Sequence, residues 1–199
     1  MKRVLPILLI GLAGCIVQSF HPFYTAKSKV ALPQLNGEWD AVTAWGNKVD
    51  ATDLPPWRIS DNEILACEND SLYSRIHVTF FKLGGQLFCD SMASNTGKGS
   101  TVPSYWAWHQ RRVHTVSKVE TNVNSLTFIP LDLDWLTDRL ATGKVSLSYL
   151  VQPEDDKRPL FTAKSADWEE FLTTYANNTD AFPTNHVYVL KRHTPIPAR

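Results

Sequence analysis

Apolar and polar positions alternate along much of the chain, in short runs that each stop at turn residues. Trp57 to Ile59, Ile64 to Glu68, Leu72 to Lys82 and Gln86 to Met92 read as strands on this pattern. In the third run Leu72, Ile76, Val78 and Phe80 share one face, with Ser74 their only polar member. Tyr73, Arg75, His77 and Thr79 share the other, so the pattern predicts a strand with one face on a core and one in water. Gly84 and Gly85 supply a two-residue turn that pairs Leu83 with Gln86 and Phe80 with Cys89. That register puts Leu87 and Cys89 on the inner face with Val78 and Phe80. Val113 to Glu120 and Leu126 to Leu131 predict a second hairpin turning at Asn122 to Asn124, and Val145 to Val151 and His186 to Arg192 two further strands.

Two stretches change period from two to about four. Asp132 caps a short helix with Leu133, Leu136 and Leu140 on one side and Gly143 at its end. Ser165 caps a second, in which Trp168, Phe171, Leu172 and Tyr175 form one apolar stripe. A helix this short is not stable alone, so the stripe is expected to pack on the outside of the sheet. Asp50 to Pro56 is a loop broken by Pro55 and Pro56, Ser94 to Ser104 a Gly/Ser/Thr/Asn loop of the kind that rims a site, and Gln152 to Arg158 a charged turn. Ile16 to Pro33 is aperiodic and reads as a tether, with His21 to Thr25 as a packed loop. No repeat of 20–50 residues is visible.

The N-terminus is patterned differently. Lys2 and Arg3 precede an apolar run, Val4 to Leu12, whose nine residues fall far short of the ~20 needed to span a bilayer. A charged start, a short apolar core and small residues at the end form a secretory signal peptide. The run ends Leu12, Ala13, Gly14, Cys15, which resembles the lipobox of bacterial lipoproteins. The resemblance implies that signal peptidase II recognises Leu12, Ala13 and Gly14, cuts before Cys15 and leaves that cysteine carrying a diacylglycerol and an N-acyl chain. Two or more acyl chains make such anchoring stable. Ile16 stands where an aspartate would favour inner-membrane retention, which points to the outer membrane of the cell envelope. The expected organisation is therefore a signal peptide over 1–14, a lipidated tether over 15–35 and a folded domain over 36–199.

Removal of the leader leaves about 185 residues, enough for one domain with a sizeable core. It also leaves 18 basic against 20 acidic residues, so nucleic-acid binding has no electrostatic footprint. Seven Trp and nine Phe fit a β-rich core or a pocket with aromatic walls. Gly37, Glu38 and Trp39 at the start of the domain resemble the signature of lipocalins, which implies that Trp39 closes the base of a barrel. The hairpin Phe80 to Asp90 is similar to one in small bacterial lipoproteins with a lipocalin-like fold and no established function. The expected fold is mainly β: a lipocalin-like antiparallel barrel with one short helix and a packed C-terminal helix.

The chemistry-bearing residues are sparse. With Cys15 lipidated, Cys67 and Cys89 remain in an oxidising compartment, where pairing is the default. The turn at Asn69 to Ser71 sets Cys67 near Ser74, about 20 Å along the strands from Cys89. That is beyond the ~7 Å between Cα atoms that a disulfide allows, so two buried thiols are expected. The six histidines show no zinc-ligand spacing, and His109 and His114 fall on opposite strand faces. No nucleophile elbow accompanies any Ser or Cys, and neither an enzyme nor a cofactor is expected. Trp106 and Trp108 flank the small Ala107 and read either as core or rim packing or as candidate walls for an apolar or planar ligand. His114 and Lys118 share a strand face; in the lumen they would orient that ligand, and outside it they would be solvated. Two readings follow. One is a membrane-anchored envelope lipoprotein that binds a small apolar or amphipathic ligand in a barrel. The other is a structural or protein-interaction lipoprotein with a filled barrel, docking an envelope partner.

Overall fold

The computed structural model describes residues 16–49, 55–69, 72–94, 112–151 and 158–194. Strand β1 (Gln18–Ser19) and a 3-10 turn (Pro33–Leu35) precede β2 (Gly37–Ala44), β3 (Asn47–Lys48), β4 (Trp57–Ser60) and β5 (Glu63–Asn69). Then come β6 (Leu72–Leu83), β7 (Gln86–Ala93), β8 (His114–Thr121), β9 (Ser125–Pro130) and helix α1 (Leu133–Ala141). Strands β10 (Tyr149–Val151) and β11 (Pro159–Phe161), helix α2 (Ser165–Tyr175) and β12 (Tyr188–Arg192) complete the order. Eight of these strands close on themselves: β2, β4, β5, β6, β7, β8 and β9 follow one another, and β12 pairs with both β9 and β2. The alternation predicted the strands, and their closure is the lipocalin-like antiparallel barrel that the resemblance at Gly37 to Trp39 implied. Strands β1, β11 and β10 form a ribbon that continues from the start of β8.

Because side chains alternate, each barrel strand feeds two apolar clusters. Inside lie Trp39, Ile59, Ile64, Val78, Phe80, Cys89, Val119, Leu126 and Leu190. Outside lie Phe81, Phe88, Val116 and Ile129, covered by Leu133 and Leu136 of α1 and by Trp168, Phe171 and Leu172 of α2. The apolar stripe of α2 thus packs where its periodicity placed it. The outer face of β6 is only partly in water. His77 is exposed, but Thr79 donates to the Tyr24 hydroxyl at 3.3 Å and Phe81 is fully buried. The turn at Gly84 and Gly85 has φ of +56° and +80°, and its register is Leu83 with Gln86 and Phe80 with Cys89, as expected.

The expected tether is part of the folded body. Val17 and Phe23 are fully buried in the outer cluster, and Leu35 is buried in the inner one. The Val30 N–H donates to the Phe80 carbonyl and the Lys82 N–H to the Ser28 carbonyl, both at 2.9 Å. Thr25 N–H and the Ser28 hydroxyl donate to the Glu169 carboxylate on α2, at 2.7 and 2.5 Å. The segment lacks periodicity because it covers existing surfaces irregularly and adds no regular face of its own.

Three smaller expectations change. The strand expected over Val145 to Val151 is confined to Tyr149–Val151, because its partner β11 is three residues long; Val145 and Leu147 are buried in the outer cluster instead. Helix α2 begins at Ser165 but its N-cap is Lys164, whose N–H is accepted by the Asp167 carboxylate at 3.1 Å. The β5–β6 register is one residue from that expected: Ala66, not Cys67, faces Ser74. A one-residue slip reverses the face, so Cys67 points out while Cys89 points in, and no disulfide joins them.

Trp39 closes one end of the barrel. Its ring is fully buried, its indole N–H donates to the Leu35 carbonyl at 2.9 Å, and the Arg192 guanidinium lies 4.0 Å over its centre. Arg192 also donates to the carbonyls of Asn36 and Gln34, at 2.9 and 2.7 Å, tying the last strand to the 3-10 turn. Gly37 has φ of +129°, and a Cβ there would meet Arg192 Nη1 at 2.9 Å. Glycine at this position is what lets the arginine cross.

Candidate functional site

The inner positions shrink towards the end opposite Trp39. On β6 they run Phe80, Val78, Ile76, Ser74; on β7, Leu87, Cys89, Ser91, Ala93; on β8, Val119, Ser117, Thr115. Large side chains interlock at the closed end, and small ones at the other leave a cavity of about 590 Å³. Trp57, Ile64, Ile76, Phe128 and Tyr188 are among its apolar walls, and Ser74, Ser91, Thr115 and Ser117 add hydroxyls. Ala93 and Val113, at the ends of β7 and β8, and Ile16 border it. Arg75 borders it too, but donates to both Glu63 carboxylate oxygens, at 2.7 and 2.8 Å, so its charge is neutralised there.

Two lining groups have distinctive protonation behaviour. Burial pushes the Tyr188 phenol well above its usual range, so it stays a neutral hydroxyl. That hydroxyl makes no hydrogen bond to another described residue. Burial, and then the neighbouring Asp90 carboxylate, hold the Cys89 thiol far above its ordinary value. A buried thiol held protonated in this way is a poor nucleophile.

His114 and Lys118 do not line the cavity. They sit opposite Met92 and Phe88 on the outer face of β8, because Thr115, Ser117 and Val119 take the inner positions. His114 Nδ1 is 2.7 Å from the nearly buried Asp90 carboxylate, and Lys118 Nζ is 3.9 Å from Glu120. Asp90 also accepts the Phe23 N–H at 3.0 Å, so the pair fastens the N-terminal segment to the barrel. Ser19 pairs with His114 along the backbone, yet it is fully buried and its hydroxyl accepts the Trp168 indole N–H at 3.0 Å. Ser19, His114 and Asp90 are therefore a structural cluster rather than a hydrolytic triad.

Trp106 and Trp108, and Leu12, Ala13, Gly14 and Cys15 of the lipobox, lie outside the described residues. The lining residues missed by sequence reasoning were Trp57, Tyr188 and the four hydroxyl side chains. Their signal was the taper in side-chain size along the inner faces of β6, β7 and β8. Among the described residues no three His, Cys, Asp or Glu side chains gather to hold a metal ion, and no helix is long and apolar enough to cross a membrane.

The fold and the site define a closed eight-stranded barrel with a small-residue cavity at one end. Comparison of the chain with family models, with curated proteins and with solved structures finds no match.

Proposed function

We propose that this is a lipoprotein of the bacterial cell envelope, anchored through lipid on Cys15, that holds a small apolar or amphipathic molecule in its barrel. The observation that carries the ligand half of the reading is the cavity. Its volume of about 590 Å³ lies within the range of ligand sites, roughly 300–1,000 Å³. Apolar walls, neutral hydroxyls and the Tyr188 phenol suit a guest with an apolar body and one polar end, such as a single-chain amphiphile. The lipobox carries the anchoring half, with the outer membrane as destination. The alternative, an interaction lipoprotein with a filled barrel, accommodates this cavity poorly.

The test is native mass spectrometry of the lipidated protein purified from its own host. A reproducible added mass of a few hundred daltons is expected, lost in Ser117→Phe, which points a ring into the cavity. An unloaded mass for the wild type would refute ligand carriage and favour action through the surface.

A further inference from the structure

The anchor point and the cavity meet at one residue. Ile16 borders the cavity and follows Cys15 directly in the sequence, so a lipid on that cysteine is attached one residue from a cavity-lining position. A second observation points the same way. Of the large hydrophobic side chains exposed among the described residues, Tyr149, Leu150 and Val151 make up β10 of the ribbon that begins near this point, and Phe20 directly follows its β1. Val123, also exposed, sits on the β8–β9 turn at the closed end.

Pairing fixes how close the ribbon lies to the anchor. Gln18 faces Leu160, and Leu160 faces Leu150, which puts Leu150 two strand spacings, about 10 Å, from Gln18. Tyr149, Leu150 and Val151 are 44, 56 and 53% exposed, so β10 offers apolar side chains on both of its faces. An outer strand of that kind is an association hazard in water and is normally charged or covered. Arg112, exposed beside Val113 at the rim, adds a positive charge at this end of the barrel.

We propose that β10, Phe20 and the cavity rim form one face that rests on the bilayer, setting the mouth of the barrel at the lipid surface. The proposal rests on the anchoring half of the reading above. The covering surface is lipid rather than a partner protein because no residue separates Ile16 from the lipid-bearing cysteine, which holds this end of the barrel at the membrane.

The test uses the full lipidated chain in phosphatidylethanolamine–phosphatidylglycerol vesicles, with a bimane label at Leu150→Cys, Val113→Cys or Val123→Cys. Cys67 and Cys89 are buried and do not compete for the label. A nitroxide-headgroup lipid is expected to quench the labels at 150 and 113 several-fold more than the label at 123. Equal quenching at all three positions, in protein that floats with the vesicles, would overturn the proposal while leaving the anchor intact. Quenching at 150 but not at 113 would overturn the orientation of the mouth and leave β10 as a lateral contact. Protein that fails to float would refute the anchor itself, and the proposal with it.

Discussion

Trp39→Ala isolates what the closed end contributes to the barrel. Truncating a fully buried Trp costs about 4 kcal/mol in lost transfer energy and cavity formation. The Leu35 carbonyl loses its indole donor, worth about 1 kcal/mol. Arg192, half-buried over the ring, loses the contact beneath it, worth about 1 kcal/mol. The terms overlap, and a combined loss of about 5 kcal/mol equals the whole stability of a modest domain, roughly 5–15 kcal/mol. Trp39→Ala should therefore be largely unfolded or close to it at room temperature. Trp39→Phe keeps most of the packing and forfeits the N–H bond, so it should lose about 1–2 kcal/mol. Arg192→Lys gives up the fork that reaches two carbonyls and should lose a similar amount, about 1–2 kcal/mol. Urea titrations followed by circular dichroism give the values, and the Trp39→Phe/Arg192→Lys double variant gives their coupling. If Trp39→Ala fell within about 1 kcal/mol of the wild type at an unchanged m value, Trp39 would not hold the barrel shut.

Two further outcomes concern the fastening of the N-terminal segment. Asp90→Ala leaves the buried Phe23 N–H without its acceptor and should cost about 1–3 kcal/mol, with Phe23 amide exchange accelerating more than that of Val78 in the barrel wall. Equal acceleration at both sites would show that the pair does not fasten the segment. At Glu169 burial acts to raise the carboxyl pKa, but hydrogen bonds from Ser28 and Thr25 and the charge of Lys27 outweigh it, and the net shift is downward. A folded-state pKa below the unfolded one stabilises the protein above the unfolded value, about 4.3, and that stabilisation is lost as pH falls through the folded pKa. The stability difference between wild type and Glu169→Gln should shrink on acidification from about pH 6 to pH 3, and a pH-independent gap would refute the assignment.

How far the sequence reached differs from place to place. The Phe80–Cys89 hairpin was legible to the residue, because two adjacent glycines leave one short turn and the turn sets the register. The Cys67 register was not. An irregularity between Cys67 and Asn69 shifts the pairing by one, and no turn residue announces it. Likewise His114 and Lys118 could be assigned to a shared face but not to a side of the barrel. Both faces of β8 carry a mixture of apolar and polar residues, and on the outer face Val116 is buried in the outer cluster while Glu120 is exposed.

What the sequence by itself determined is local: strand periodicity, the glycine turn, the stripe on α2, and the glycine–tryptophan pair at the barrel's base. These follow from backbone geometry and the side-chain repeat, which act over a few residues. The tertiary structure alone decided which face became lumen, that residues 16–35 pack as cover, and that small inner side chains on neighbouring strands align into one cavity. Those outcomes depend on closure, when β12, already beside β9, pairs with β2 and brings together positions more than 140 residues apart. Inside and outside have no meaning along a single strand, and acquire one only when the sheet joins its own edge.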